Sequence, residues 1–309
     1  MILTDSTYHK LPPCAATIGC FDGVHRGHQF LIRQVCETAQ EEGLHSMLIT
    51  FPVHPRQVMQ DSYQPQLLSC LKQREDLLAR SGADYCILLP FTKELSRLTA
   101  RDFMRLLHEQ YHVQTLLVGY DHRFGHNRSE SFDDYCRYGK ELGMKVVRAK
   151  ALTENGTSIS STHIRNLLKR GEIEQANHCL GYPYYISGTV VDGYKVGRKL
   201  GFPTANLKPS CPEKLIPEAG VYAVHVYLGE TCRKGMLNIG CRPTLGNGTE
   251  TSIEAHILGF NGNIYYKDMK IEFVHRLRPE MKFGSLEELT AQLEKDKAAV
   301  ERLLADRPQ

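Results

Sequence analysis

The 309-residue chain has no CxxC pair, no apolar stretch approaching the roughly 18 residues a membrane-spanning helix needs, and no large excess of either charge. Its ten cysteines stand singly between Cys14 and Cys241, and it opens MILTDSTYHK, without an apolar signal segment. Scattered thiols in a long chain fit a reducing compartment better than a disulfide framework, so a cytoplasmic location is expected. The three glycosylation sequons, at Asn127, Asn155 and Asn247, mean nothing without secretion. Net charge is +3, and a split after Leu180 leaves 21 Lys and Arg against 20 Asp and Glu, then 17 against 15. Neither part is a basic module, which disfavours broad electrostatic capture of nucleic acid. Two phosphate-binding loops are missing too. Nothing matches GxxxxGK[ST], and no GxGxxG follows a strand pattern, so P-loop and dinucleotide-fingerprint chemistry lose support.

What is present changes character along the chain. Over the first 150 residues, short apolar runs at 15–18, 46–50, 85–89, 115–118 and 145–147 alternate with helical stretches at 27–42, 69–80, 99–110 and 129–142. Gly43, Gly82 and Gly143 sit where helix C-caps belong. Such alternation predicts an α/β domain with a parallel sheet covered on both faces. Ligands then bind at the carboxyl ends of strands, near the reversal of strand order. From 184 onward the runs 185–191, 221–228, 252–258 and 270–274 are β-rich and separated by Gly, Pro and Asn. They predict a small antiparallel barrel or sandwich followed by a helix near 285–305, with Ser285 as cap and Glu288 as its box partner. Residues 160–180 read as two short helices joined at Gly171. The expected domains are therefore 1–183 and 184–309.

In the first half the densest motif is Gly19-Cys20-Phe21-Asp22-Gly23-Val24-His25-Arg26-Gly27-His28, directly after the first strand. Its glycines permit a sharp turn, the amides at a helix start attract phosphate, and two histidines three apart can donate to the oxygens of a leaving pyrophosphate. Taken alone, the histidine pair is also compatible with a surface helix turn or a metal site. A second signal is Ile159-Ser160-Ser161-Thr162-His163-Ile164-Arg165, where three hydroxyls can cap a helix or hold phosphate and Arg165 follows a turn later.

The second half carries a Gly-rich stretch, Gly193 to Gly201, with Gly197, Arg198 and Lys199 inside it, followed by Pro203-Thr204-Ala205-Asn206. A mobile loop of this kind can wrap a polyphosphate. In an extended segment Thr204 and Asn206 share a face, and two neutral oxygens suit Mg²⁺ that takes its other ligands from phosphate and water. Spacing alone favours a Gly-rich hairpin ending in a polar turn. Glu254, in a strand pattern, is either a solvent-facing residue or a base for a substrate hydroxyl.

These motifs together resemble the prokaryotic bifunctional riboflavin kinase/FAD synthetase family. The resemblance rests on GCFDGVHRGH, Thr50-Phe51-Pro52-Val53-His54-Pro55, Val118-Gly119-Tyr120-Asp121-His122-Arg123-Phe124-Gly125 and ISSTHIR in the first half. In the second half it rests on GRKLGFPTANL at 197–207, Gly220-Val221-Tyr222, Asn238-Ile239-Gly240-Cys241-Arg242-Pro243-Thr244, Glu254-x-His256 and Arg278-Pro279-Glu280-Met281-Lys282-Phe283. In family order they span about 15 to 296. The resemblance implies a Rossmann-like nucleotidyltransferase domain followed by a riboflavin kinase barrel with a terminal helix.

It further implies that His25, His28 and Arg165 act on the triphosphate, with Gly19, Phe21, Gly27, Asp121, Ser160, Ser161 and Thr162 as nucleotide contacts. In the barrel it implies Gly193, Gly197, Arg198, Lys199 and Asn238 on the nucleotide and Thr204 and Asn206 on Mg²⁺. Glu254 becomes the base for the ribityl 5′-hydroxyl, and His54, Gly240, Arg242 and Thr244 are flavin contacts. The chain departs from the family at His122, where phenylalanine is usual, at Asp192, where many relatives have histidine, and in the proline before His54, shifted by one. The implied partners are riboflavin, FMN and ATP, with no nucleic acid and no membrane; self-association leaves no signature in the sequence. Two other readings compete: nucleotidyl transfer to a different acceptor, which leaves PTAN and Glu254 unexplained, and a flavin- or nucleotide-binding sensor without turnover.

Overall fold

The computed structural model describes residues 1–5, 11–60, 62–120, 122–126, 128–154, 157–193, 197, 200–243 and 249–305, with the backbone alone at 3–5, 157, 241–243 and 249–250. The chain forms two compact units, Met1–Ser161 and Thr162–Gln309.

The first unit is a six-stranded parallel sheet. In chain order it runs β1 (Ile2–Asp5), β2 (Cys14–Ile18), α1 (Arg26–Glu42), β3 (His45–Thr50), α2 (Pro55–Met59), α3 (Leu71–Ala79), β4 (Tyr85–Leu88), α4 (Lys93–Ser96), α5 (Ala100–Tyr111), β5 (Val113–Val118), α6 (Phe132–Leu142) and β6 (Lys145–Arg148). The strand order is β1-β4-β3-β2-β5-β6, so the connections reverse direction between β2 and β5. Every residue of β2 is buried, as is every residue of β3 after His45, because helices cover both faces. One core gathers Ile18, Met47, Ile49, Phe103, Met104, Leu116 and Tyr135; another, on α1 and α3, gathers Phe21, Val24, Ile32, Leu48 and Leu78. A small hairpin follows, β7 (Thr153–Glu154) and β8 (Thr157–Ser158).

Local sequence explains the helix ends. Thr99 and Ser131 cap α5 and α6, the latter in a capping box with Asp134, and Gly43 and Gly143 close α1 and α6 in the left-handed conformation. Gly82 departs from its expected role. Helix α3 ends at Arg80 in a right-handed conformation, and Gly82, at φ 88°, serves the turn into β4 instead.

The second unit opens with α7 (Ser161–Lys169) and α8 (Ile173–Leu180), joined through Gly171 at φ 71°. Then come β9 (Tyr185–Val191), β10 (Ala205–Pro209), β11 (Gly220–Leu228), β12 (Thr231–Pro243), β13 (Thr249–Ile257), β14 (Asp268–Arg278) and α9 (Leu286–Leu303). The strands close an antiparallel barrel in the order β10-β13-β12-β11-β14-β9, which decides between barrel and sandwich. Closure leaves no open edge. Helix α9 lies on the barrel wall, its Leu293 and Val300 packed with Phe202, Ala223 and Met236. Ser285 accepts from the Glu288 amide, while the Glu288 carboxylate accepts from the Gly284 amide, one residue earlier than the box geometry predicts.

Candidate active sites

In the first unit the site grows from the turn after β2. Phe21, Gly23 and Val24 all have positive φ (47°, 78° and 35°), a backbone path that side-chain-bearing residues avoid unless their surroundings hold them. The restraint is visible. The buried Asp22 carboxylate accepts from the amides of Leu68 and Ser69 and from the Ser69 hydroxyl at 2.9–3.2 Å, and Gly23 donates to the same hydroxyl at 2.8 Å. Arg74, also buried, donates to the carbonyls of Cys20 (2.9 Å) and Phe51 (2.6 Å), tying the turn after β2 to the one after β3. Ser161 Oγ donates to the Asp22 carbonyl at 3.0 Å.

This turn delivers His25 as the N-cap of α1. Its Nδ1 accepts from the His28 amide at 3.3 Å, so the proton of the neutral ring lies on Nε2. The His25 and His28 rings stack with centroids 3.6 Å apart and planes 19° from parallel, and the edge of Phe21 meets His28 at 5.3 Å. Gly27 is required between them: a Cβ there would stand 2.9 Å from the Ile159 carbonyl oxygen and 3.1 Å from the His25 ring. His28 Nδ1 is buried and makes no hydrogen bond among the described residues. Burial first, then the neighbouring His25 and His122, holds the His28 pKa well below 6.5, so the ring is neutral at physiological pH. A neutral, stacked pair at a helix N-terminus offers N–H donors without a fixed charge.

Beside this turn lies a cavity of about 270 Å³. Phe51, Phe91, Phe103 and Phe124 supply its aromatic wall, Pro55 and Met59 of α2 its side, and His122, Arg123, His126 and Arg128 its basic part. His54 caps α2, its Nδ1 accepting from the Arg56 amide at 3.2 Å. Ser160 precedes α7 and Ser161 opens it, Thr162 is exposed there, and Arg165 is half-buried one turn on. Asp121 lies outside the described residues. Sequence reasoning passed over Phe91, Phe103, Arg74 and the fastening role of Asp22. Phe51 and Phe124 stood in recognised motifs, whereas Phe91 and Phe103 carry no local signal.

The barrel builds its site from strand register. Asn206 on β10 is directly opposite Glu254 on β13, Glu254 is opposite Asn238 on β12, Asn238 is opposite Val221 on β11, and Val221 is opposite Arg278 on β14. Directly opposed residues share a face, so five strands contribute one belt of side chains. Thr204, just before β10, donates from Oγ1 to Glu254 Oε2 at 3.2 Å. His256 braces the same segment, its Nδ1 2.8 Å from the Pro203 carbonyl and its ring edge-on to Phe202 at 5.1 Å. Burial lowers the His256 pKa, so the neutral ring donates through Nδ1–H to Pro203.

Two cavities meet at Thr204. One, of about 320 Å³, includes Glu254, Asn238, Arg278, Glu280, Met281 and Phe283 in its lining; the other, of about 690 Å³, is bordered by Val190, Ala205, Phe260, Asn263 and Tyr265. Arg278 is held by a two-pronged pair with the buried Asp296 of α9 at 2.8–3.2 Å, a link that fixes one of the lining residues of the smaller cavity and gave no sequence signal of its own. Gly193 packs on Asn206: a Cβ there would fall 2.1 Å from the amide nitrogen. The Phe202 amide donates to the Gly197 carbonyl at 2.9 Å, and a Cβ on Gly240 would meet Glu280 at 2.5 Å. Arg198, Lys199, Thr244 and the Arg242 side chain lie outside the described residues. Among the described residues no cluster of three His, Cys, Asp or Glu side chains forms a metal cage, and no helix is long and apolar enough to cross a membrane.

The two units match two families. Residues 8–163 match the FAD synthetase family and residues 180–304 the riboflavin kinase family. A bifunctional riboflavin kinase/FMN adenylyltransferase of Listeria monocytogenes is 37% identical over 280 residues, covering 90% of this chain and 88% of that protein. Its counterpart in Pseudomonas fluorescens is 36% identical and covers 96% of both chains. A solved structure titled a macrolide-efflux protein of Streptococcus pneumoniae superposes with a TM-score of 0.88 at 28% identity, covering 97% of this chain and 99% of its own. Both families use ATP and generally need a divalent metal. The chain belongs to the bifunctional riboflavin kinase/FMN adenylyltransferase family, and it makes flavin cofactors from riboflavin by phosphorylation and then adenylylation.

Proposed function

We propose that the two reactions divide between the expected domains, residues 184–309 phosphorylating riboflavin and residues 1–183 adenylylating FMN, so that the adenylylating domain extends past the boundary between the compact units at Ser161 and takes in α7 and α8. The observation that carries the kinase assignment is Thr204, which lines both barrel cavities and donates to Glu254. ATP occupies the larger cavity, its phosphates directed along Gly193, Gly197, Arg198, Lys199 and Asn238 toward the smaller one, where the flavin ring lies beside Arg278 and Phe283. Gly240, Arg242 and Thr244 flank the flavin. Glu254 takes the proton from the ribityl 5′-hydroxyl, whose oxygen attacks the γ-phosphorus as the bond to the β-phosphate breaks and ADP leaves.

Thr204, Asn206 and Glu254 offer a hydroxyl, an amide oxygen and a carboxylate. This hard oxygen set fits Mg²⁺ bound mainly through ATP phosphates rather than by a protein cage. When bound, the ion offsets charge on the phosphates. Asn206 is held in place by Gly193 above it and Glu254 beside it.

In the first unit the aromatic cavity takes the FMN ring, with His54 at its side and Asp121 near the adenine or flavin. The FMN phosphate oxygen attacks the α-phosphorus of a second ATP and pyrophosphate leaves. His25 and His28 donate to the phosphate oxygens as charge builds, Gly19, Phe21 and Gly27 shape the turn that brings the chain close to them, and Ser160, Ser161, Thr162 and Arg165 hold the outer phosphates. The reading places the enzyme in the cytoplasm, consistent with its free cysteines, and gives it no nucleic-acid partner. A chromatographic time course with riboflavin, ATP and Mg²⁺ tests it: FMN should appear first and FAD after it. FMN alone would remove the first-unit assignment, and FAD formed from added FMN alone would remove the barrel assignment.

A further inference from the structure

The cavity of the first unit has polar groups of one sign. Its basic residues are His122, Arg123, His126 and Arg128, and no carboxylate is among its described lining residues. Arg123, His126 and Arg128 are exposed, whereas His122 is half-buried. Its amide donates to the Gly119 carbonyl at 3.0 Å, immediately past β5, and its ring lies 6.2 Å from Phe124 in the aromatic wall. His28 stands past the neighbouring strand β2, on the other side of the point where strand order reverses, and His122 is close enough to lower its proton affinity. His122 therefore lines the aromatic cavity just past β5, while the paired histidines follow the neighbouring strand β2. An aromatic ligand with an anionic end fits such a site ring-inward and anion toward His122.

We infer that His122 is a specificity-determining residue of the adenylyl-transfer site: its imidazole N–H binds the phosphate of the flavin acceptor where the cavity opens beside His28. The inference rests on the reading that this cavity takes the FMN ring. A phenylalanine at this position, as the family resemblance leads one to expect, can pack against a ring but donates nothing to a phosphate. The side chain thus gives this chain a phosphate contact that a phenylalanine-bearing relative has to make elsewhere. It acts on acceptor binding rather than on ATP.

The test uses the full-length enzyme with FMN and ATP, and lumiflavin as a competitor, because lumiflavin has the ring but neither ribityl chain nor phosphate. His122→Phe should raise KM for FMN about tenfold, as expected for losing a hydrogen bond to a charged group. KM for ATP, the inhibition constant of lumiflavin and riboflavin kinase activity should stay within about twofold, and His122→Gln, which keeps a donor, should recover most of the loss. An unchanged KM for FMN in His122→Phe overturns the inference. So does an equal rise for FMN and lumiflavin, which makes His122 a ring contact, or a change confined to kcat and ATP, which makes it act through His28. If lumiflavin does not compete in the wild type, the cavity assignment itself falls and the inference with it; if the wild type forms no FAD at all, the adenylyl-transfer reading has failed first.

Discussion

The two sites of this chain move phosphorus in similar ways and are held together in different ones. The first-unit site stands on turns at the ends of parallel strands, where three positive-φ residues within four positions, Phe21, Gly23 and Val24, are kept in place by a buried carboxylate and a buried guanidinium. The barrel site stands inside regular strands, where register brings Asn206, Glu254, Asn238 and Arg278 to one belt. A turn can place groups close to a ligand backbone-first, but it needs polar ties to survive. A ladder takes its alignment from hydrogen bonds the sheet makes anyway, and adds polar ties such as Arg278–Asp296 on top of it.

The largest expected effect is a clean separation of activities. Glu254→Gln should lower riboflavin phosphorylation by roughly 10²- to 10⁴-fold and leave FMN adenylylation intact. His28→Asn should lower adenylylation by roughly 10²- to 10³-fold and leave the kinase intact. Rates of FMN and FAD formation, each from its own substrate, check both; parallel loss of the two activities in either variant would break the comparison at its root.

Next comes stability. Asp22→Ala strips the turn of a carboxylate that accepts from three groups in the interior, which should cost about 3 kcal/mol. Measured as the temperature of half-inactivation of each activity in one sample, adenylylation should fail several degrees earlier than in the wild type and the kinase at its usual temperature. If the two fall together, the units unfold as one and the turn is not a local weakness.

The barrel counterpart is more specific for substrate. Arg278→Leu leaves Asp296 without its two-pronged partner and loosens the wall of the smaller cavity. KM for riboflavin should rise about tenfold, with KM for ATP little changed, because Arg278 does not line the larger cavity. An ATP-side effect of equal size would mean that the two cavities are not separate subsites.

The difference between the sites also governs what the sequence reveals. Strand–helix alternation predicts the parallel sheet because its strands are short buried apolar runs, and the first-unit motif is legible because one turn packs its histidines and glycines into ten residues. The edge strand β1 is invisible, since four residues with mixed character give no period. The barrel belt is harder to see. Asn206, Glu254, Asn238 and Arg278 are distant in sequence, and only pairing register makes them neighbours. Each looks alone like a polar residue on a strand. Arg278–Asp296 and Arg74 are missed for the same reason: a buried ion pair or guanidinium is defined by what surrounds it, and nothing local marks that. Gly82 misleads in the opposite direction, because a left-handed glycine after a helix serves equally as a cap or as the next turn.

The smallest expected effect concerns pH. His28 in the first unit and His256 in the barrel both have lowered proton affinity, and His28 more so, since it is shielded and flanked by two other histidines while His256 retains a carbonyl that favours its protonated form. In the unfolded chain both return to about 6.5. Below that pH the unfolded state binds protons that the folded state refuses, so stability is full above about 6.5 and falls as the medium becomes more acidic. Carboxylates take up few protons between that point and about pH 5.5, so the histidines dominate the first part of the acid limb. The adenylylation unit should therefore lose thermal stability faster than the kinase unit over this range, and His28→Asn should flatten the slope of the first without touching the second. Equal slopes in the wild type, or a slope that His28→Asn leaves unchanged, would mean that the stacked pair accepts a proton on the protein as readily as in water, and that its neutrality is not what the turn is built to maintain.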